Sequence, residues 1–156
     1  MRIRIETLPT DAVQSVNNKE LFLTPDGNVY GIDLKGYYEI KPYINKCNSH
    51  TNNNKYGYYK FHYQGKMYRL HYELARLFVP GYKPGLCVDH IDNNSLNNKI
   101  ENLQWLTRGE NAEKFWDSLT DVEMENYKRN FSNALREAHK AGHYKNHLDK
   151  LHKKMK

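Results

Sequence analysis

The chain has 156 residues, of which 38% are hydrophobic and 13% aromatic, and it carries a formal net charge of +6 with a pI of about 9.2. This length allows one compact domain or two small units with modest cores, and the basic balance favours a polyanionic partner. No apolar run approaches the ~20 residues of a membrane span, and no apolar core follows Arg2 and Arg4 as a signal peptide would require. The lone cysteines, Cys47 and Cys87, are too few for a disulfide framework or a zinc site and indicate a reduced, intracellular setting.

Short β-forming segments dominate the N-terminal part of the chain. Residues 2–6 alternate weakly as a strand, and residues 24–27 form a turn signal. Further β-branched or aromatic runs, broken by Gly and Pro, predict strands at 29–32, 37–40 and 43–44. A polar loop follows at 45–55. We therefore expect a β-rich, antiparallel region over residues 1–83.

A hairpin and a helix complete this region. Residues 56–63 and 66–70 are strand-like and are split by Gln64-Gly65, which predicts a β-hairpin. Apolar residues then recur at helical spacing, which predicts a short amphipathic helix over residues 71–79.

Cations alternate with tyrosines around the predicted hairpin. Phosphates could pair with such cations while the aromatic rings approach a groove of DNA. The alternative is an ordinary sheet with a tyrosine-rich buried face. The cations that we predict to bind DNA here are Lys55, Lys60, Lys66 and Arg69.

A strand, a polar loop and a second strand come next. Residues 86–88 form a strand that runs into the Asp89-His90 pair. Residues 92–98 are nearly all polar and rich in Asn, which predicts a loop, and residues 103–106 form the second strand. An isolated Asp-His pair is usually a surface ion pair, so its meaning depends on the residues that accompany it.

A helix begins directly after the second strand. The segment from Thr107 to Glu110 fits a capping box, in which the Thr107 hydroxyl accepts the Glu110 amide and the Glu110 carboxylate reaches back. Asn111 then lies in the first turn of the helix. A strand, a loop, a strand and a helix in this order, with polar groups at the first strand's end and at the helix start, can hold one divalent cation over a cleft.

These residues resemble the HNH nuclease family, and most closely its phage intron-encoded or free-standing homing endonucleases. The matching pieces are residues 88–90, the Asn97-Asn98 pair, residues 101–105 and residues 107–111. Many HNH proteins end the motif in His, whereas this chain has Asn111, which the homing branch accepts. The resemblance implies an α+β protein centred on a ββα-metal finger over residues 84–117.

The resemblance and the chemistry of the side chains together assign roles within the finger. His90 would be the general base, because an imidazole with an ordinary pKa of ~6.5 is available in its neutral form near neutrality. The Asp89 carboxylate and the Asn111 side-chain oxygen suit a hard ion such as Mg²⁺, with Mn²⁺ as the alternative. By resemblance, Asn102 is the family's central Asn, a member of the catalytic group that fixes the finger and so aims His90.

The C-terminal region, residues 118–156, is predicted to be helical. Residues 120–123 repeat the capping-box pattern, an apolar stripe continues to residue 138, Gly142 ends the helix, and residues 143–156 form another. Residues 126–156 contain nine Lys or Arg and two acids, which suits binding to backbone phosphates. A solvated helical face is the alternative. With Arg108 of the finger, the predicted phosphate contacts are Lys145, Lys150, Lys153 and Lys154.

We therefore predict a site-specific, Mg²⁺-dependent endonuclease of double-stranded DNA that nicks one strand per chain. It would act as a monomer, with a homodimer as the alternative, in the host-cell cytoplasm and without a membrane partner. One alternative is a non-catalytic DNA-binding protein that keeps the finger as a scaffold. Another is an accessory nuclease of phage DNA packaging.

Overall fold

The computed structural model describes residues 3–45 and 57–140, which form the α+β arrangement that the sequence predicts. Its contacts divide the chain into two compact units, residues 1–111 and 112–156. The domain boundaries after residues 83 and 117 stay a prediction. Within the described residues, no helix is long and apolar enough to cross a membrane.

A five-stranded antiparallel sheet opens the first unit. Its strands are β1 (Arg4–Ile5), β2 (Val13–Gln14), β3 (Leu21–Leu23), β4 (Val29–Asp33) and β5 (Gly36–Ile40). Their order across the sheet is β1-β5-β4-β3-β2. The predictions of β1, β4 and β5 are confirmed. Strands β2 and β3 were not predicted, because two or three residues are too short to show a periodic pattern.

The predicted hairpin is confirmed as part of a second antiparallel sheet. It comprises β6 (Tyr43–Asn45), β7 (Tyr58–Tyr63) and β8 (Lys66–Arg69), in the order β6-β7-β8. Gln64 and Gly65 both have positive φ, +48° and +75°, which a two-residue hairpin turn of the I′ type requires. The helix α1 (Leu70–Phe78) follows directly and confirms the helix predicted at residues 71–79.

The finger begins with a two-stranded antiparallel ladder of β9 (Cys87–His90) and β10 (Leu103–Leu106). A 3₁₀ turn at Ile100–Asn102 leads into β10. The Trp105 indole Nε1 donates to the Val79 carbonyl over 3.1 Å, so β10 is tied to the end of α1.

One apolar core joins both sheets, α1 and β10. Leu74 of α1 is fully buried within it, and Leu103 brings β10 into contact with it. Truncating a residue such as Leu74 to Ala costs about 2–5 kcal/mol of unfolding free energy. The buried members are Leu21, Leu23, Val29, Tyr38, Phe61, Tyr63, Tyr68, Leu70, Leu74, Ala75 and Leu103.

Buried Glu73 fixes the N-terminal strands against α1. Its carboxylate accepts hydrogen bonds from the Ser15 hydroxyl, over 2.9 Å, and the Asn17 amide, over 2.8 Å. Burial raises the pKa of Glu73, and the two hydrogen bonds oppose that rise. The carboxylate is therefore satisfied by a structural contact within the fold.

Two helices continue the chain: α2 (Arg108–Asp117) and α3 (Asp121–Lys140). The predicted second capping box is confirmed, because the Thr120 amide donates to Glu123 Oε2 over 3.0 Å and the Glu123 amide donates to Thr120 Oγ1 over 3.3 Å. On the apolar stripe of α3, Phe131 is 56% exposed. The predicted helix end at Gly142 and the helix at 143–156 lie outside the described residues.

Candidate active site

The strand register places the Asp89-His90 pair at the end of β9. His90 lies opposite Leu103 and Asp89 lies opposite Gln104. Asp89 is 9% exposed and His90 is 6% exposed, so the pair is not the surface ion pair that such a dipeptide usually forms. Buried Leu103 anchors the facing strand in the core, which fixes the position of the pair.

The loop that the sequence predicts at 92–98 is closed by Asn102. Its Oδ1 accepts the Asp92 amide over 3.0 Å, while its Nδ2 donates to Asp92 Oδ1 over 2.9 Å and to the Asn97 carbonyl over 2.8 Å. Asn102 is 8% exposed. It braces the loop through Asp92 and Asn97, so its effect on His90 would act through the loop.

Asp92 is the acceptor at the centre of the loop. The Asn97 side chain donates to its Oδ2 over 2.7 Å, and the Asn94 amide donates to its Oδ1 over 2.8 Å. With the bond from Asn102, these contacts lower the pKa of Asp92 to about 2. The Ser95 hydroxyl donates to the Gly57 carbonyl over 2.5 Å and attaches the same loop to the start of β7.

The His90 imidazole touches the loop on one side and aromatic rings on the other. Its Nε2 lies 3.0 Å from Asn98 Oδ1. Its ring is edge-on to that of His71, with 5.2 Å between centroids, and lies 6.4 Å from the ring of Tyr58. These contacts restrain the ring of the residue that the sequence predicts as general base.

His71 is a part of this cluster that the sequence did not reveal. Burial, followed by the nearby His90 and Arg69, lowers the pKa of His71 to about 3, which keeps the ring neutral near neutrality. Within the described part of the chain, its Nδ1 is buried without a hydrogen-bond partner. The sequence shows only a histidine near the start of the predicted helix, and this does not indicate that its ring contacts His90.

Gln104 holds the predicted metal ligand on β9. Its Nε2 donates to Asp89 Oδ2 over 2.8 Å across the β9–β10 ladder. The sequence showed Gln104 only as part of a motif, because its role depends on the strand register. A carboxylate oriented by an amide donor is a common arrangement at metal sites, where such supporting contacts hold the ligand in place.

Asn111 lies in the first turn of α2, as predicted. The capping box before it is confirmed: the Thr107 amide donates to Glu110 Oε2 over 2.7 Å, and the Glu110 amide donates to Thr107 Oγ1 over 3.2 Å. These contacts lower the pKa of Glu110. For the half-buried Asn111, the structure records a backbone bond to the Thr107 carbonyl over 3.0 Å. A carboxylate such as that of Asp89 and an amide oxygen such as that of Asn111 are both ligand types that a hard divalent ion accepts, and their role as ligands stays a prediction.

The predicted DNA-binding cations are distributed over different surfaces. Lys60 and Arg69 are directly opposite each other in the β7–β8 ladder and so share one face. Strand alternation puts Tyr58 on that same face, and its ring lies against His90. Lys66 pairs with buried Tyr63, which places it at the hairpin end on the other face. Arg108 is exposed at the start of α2. Outside the described residues lie Lys55, Lys145, Lys150, Lys153 and Lys154.

The chain is similar to a family model, a curated protein and a solved structure. Residues 68–113 match a family model described as HNH endonuclease. A stretch of 50 residues is 44% identical to DNA endonuclease I-HmuI of Bacillus phage SP01, over 32% of this chain and 29% of that protein. The matched stretch thus spans less than a third of that curated relative. A solved structure of DNA binding and cleavage by the HNH homing endonuclease I-HmuI aligns with a TM-score of 0.58 and 26% identity, over 77% of this chain and 67% of that chain.

Proposed function

We propose that this chain, which carries an HNH endonuclease domain over residues 68–113, is a homing-type endonuclease that hydrolyses phosphodiester bonds of double-stranded DNA. The observation that carries the proposal is the buried Asp89-His90 pair, supported by Gln104 and Asn98. A scaffold that only binds DNA has no need to bury these two polar side chains and orient both of them. Burial of polar groups costs free energy unless they are held by hydrogen bonds.

In the proposed mechanism His90 acts as general base. A neutral imidazole within hydrogen-bond reach of a water would take its proton, and the resulting hydroxide would attack the phosphorus atom. The bond from phosphorus to the leaving oxygen would break, and that oxygen would take up a proton from solvent. Asp89 and Asn111 would hold Mg²⁺, or Mn²⁺ in its place, and the bound ion supplies charge relief at the phosphate and at the leaving oxygen. Asn102 keeps the 92–98 loop closed beneath His90 through its bonds to Asp92 and Asn97.

We further propose that DNA lies across the face of the second sheet that leads to His90. Lys60 and Arg69 on that face would bind backbone phosphates. Tyr58 lies two residues before Lys60 on the same face of β7, nearer to His90. At the ~3.3 Å rise per residue of a strand, Tyr58 and Lys60 are about 7 Å apart. DNA bound in this way would have its phosphates next to the proposed base.

The chain has one proposed finger and so one proposed general base. We therefore propose that one chain acts as a monomer and cuts one strand per binding event. We propose that Arg108 adds a further phosphate contact at the start of α2. The relative from a Bacillus phage supports a setting in the cytoplasm of a phage-infected host.

Mapping new 5′ ends tests this function. The protein is incubated with genomic DNA of its own source in the presence of Mg²⁺, and ends are sequenced on both strands. We expect a few reproducible ends on one strand, none with EDTA, and far fewer in the same time with His90→Ala, which controls for contaminating nucleases. Ends that are as abundant with His90→Ala as with the wild type would contradict the proposal, and paired ends on both strands would contradict single-strand cutting.

A further inference from the structure

We infer that Asn98 is the positioning residue that sets the tautomer of His90. The inference rests on the proposed role of His90 as general base. The observation is the 3.0 Å approach of Asn98 Oδ1 to His90 Nε2, the only side-chain hydrogen bond recorded for Asn98 in the described part of the chain. An amide oxygen accepts and cannot donate, so the proton of the pair lies on Nε2.

The tautomer matters because a neutral imidazole has one basic nitrogen. With the proton on Nε2, the lone pair that can take a proton from water is on Nδ1. A protein normally fixes this choice by the hydrogen bond that the other nitrogen makes. Asn98 would therefore determine which edge of His90 performs the chemistry.

The aromatic contacts of His90 hold its ring in the orientation in which Nε2 faces Asn98. A ring flip about the Cβ–Cγ bond would put a carbon where each nitrogen lies and would take Nε2 away from Asn98, but the ring is packed edge-on against buried His71, 5.2 Å between centroids, and near Tyr58. His90 itself is 6% exposed, which leaves little room for a second orientation. Packing restrains the plane of the ring and Asn98 selects the tautomer within it.

Asn98 and its neighbour Asn97 divide two tasks between them. Asn97 donates to Asp92 Oδ2 over 2.7 Å and braces the loop, whereas Asn98 contacts the imidazole. The pair thus offers a matched comparison, because the same residue type occurs at adjacent positions with different partners. Loss of Asn97 should lower stability and leave the tautomer unchanged.

Nitrogen-15 NMR of histidine-labelled protein tests the inference without DNA or metal. The His90 signals are assigned by their absence in His90→Gln, and spectra are recorded well above the ordinary imidazole pKa of about 6.5. We expect the shift pattern of the Nε2–H tautomer in the wild type, a mixed pattern in Asn98→Leu, which is similar in shape but lacks the acceptor, and the wild-type pattern in Asn97→Leu. Asn98→Asp keeps an acceptor oxygen and should restore the Nε2–H pattern.

Cleavage provides the second measurement. Because misplacement of a catalytic group costs about 10²-fold, the single-turnover rate of Asn98→Leu should fall by about that factor with an unchanged dissociation constant for DNA, and Asn98→Asp should recover part of it. An Nδ1–H tautomer in the wild type, or an Nε2–H pattern that persists in Asn98→Leu, would overturn the inference. If the wild type shows the Nε2–H pattern but does not cut DNA, the proposed function fails while the tautomer assignment stands.

Discussion

Asn102 binds Asp92 through both atoms of its side-chain amide: Oδ1 accepts the Asp92 amide over 3.0 Å and Nδ2 donates to the Asp92 carboxylate over 2.9 Å. This two-point contact joins the start of the 92–98 loop to the 3₁₀ turn that follows it. It explains why an amide is needed at Asn102, since a side chain with only acceptors could make one of the two bonds.

The substitution Asn102→Asp should therefore damage the finger more than a simple truncation. It replaces the donor with a second carboxylate facing Asp92, whose pKa of about 2 keeps it charged. We expect a loss of about 1–3 kcal/mol of unfolding free energy for Asn102→Ala and a greater loss for Asn102→Asp, measured by urea denaturation. Glu101→Gln, in the same turn but exposed, is the control. Wild-type stability of Asn102→Asp would show that the contact is unimportant.

His71 should make the protein sensitive to acid. Its pKa is lowered from 6.5 to about 3 in the folded state, so between those values the unfolded chain binds the proton and the folded chain does not. Stability contributed by neutral His71 is present above pH 6.5 and is lost as the pH falls toward 3, by up to ~1.4 kcal/mol per pH unit.

The variant His71→Phe removes this titration while it keeps an aromatic ring against His90. Its unfolding free energy should fall less steeply than that of the wild type between pH 6.5 and 3, as measured by denaturation at a series of pH values. The slopes of unfolding free energy against pH should differ by the amount that corresponds to about one bound proton. Identical slopes for both proteins would show that His71 does not titrate in this way.

The face that carries Lys60 and Arg69 should set the salt dependence of DNA binding. Each lost phosphate contact reduces the slope of log K against log[salt] by about 0.9 for duplex DNA. We expect this reduction for Lys60→Gln and for Arg69→Gln in a binding titration over a salt series. Lys35→Gln, in the exposed turn between β4 and β5, should keep the wild-type slope. Equal slopes for all of these proteins would rule out the proposed track.

Metal affinity should depend on both Asp89 and its supporting amide. We expect Asp89→Ala to abolish Mn²⁺ binding measured by electron paramagnetic resonance. Gln104→Leu removes the 2.8 Å hydrogen bond to Asp89 and should weaken binding by about 10–100-fold, the usual effect of losing a supporting contact. Glu101→Gln controls for the loss of a nearby exposed charge. Unchanged Mn²⁺ affinity in Asp89→Ala would remove that residue from the site.

Local signals explain how much of the fold could be predicted from the sequence. The capping box at Thr107 and Glu110, the Asn-rich loop and the Gln64-Gly65 turn each depend on residues a few positions apart, and all three are present in the structure. Strands β2 and β3 were missed because two or three residues are too short to show a pattern of their own, and pairing with the neighbouring strands holds them in place.

The supporting residues of the site could not be predicted for a related reason. His71 reaches His90 from α1 through packing of the fold, and Gln104 reaches Asp89 through the register of two strands. The motif predicts which residues perform the chemistry, whereas the contacts that orient those residues depend on the tertiary structure. The sequence showed Asn98 as part of the Asn97-Asn98 pair, but it did not show that the Asn98 side chain contacts His90.

The most direct test of the account is the single-turnover rate of DNA cleavage at a mapped site, compared between the wild type and His90→Ala. General base catalysis contributes about 10²–10⁴-fold, so the variant should cut slower by that factor in Mg²⁺ while it binds DNA with nearly the same dissociation constant, and EDTA should stop the wild type. Near-normal cutting by His90→Ala, or cutting by the wild type in EDTA, would contradict the account.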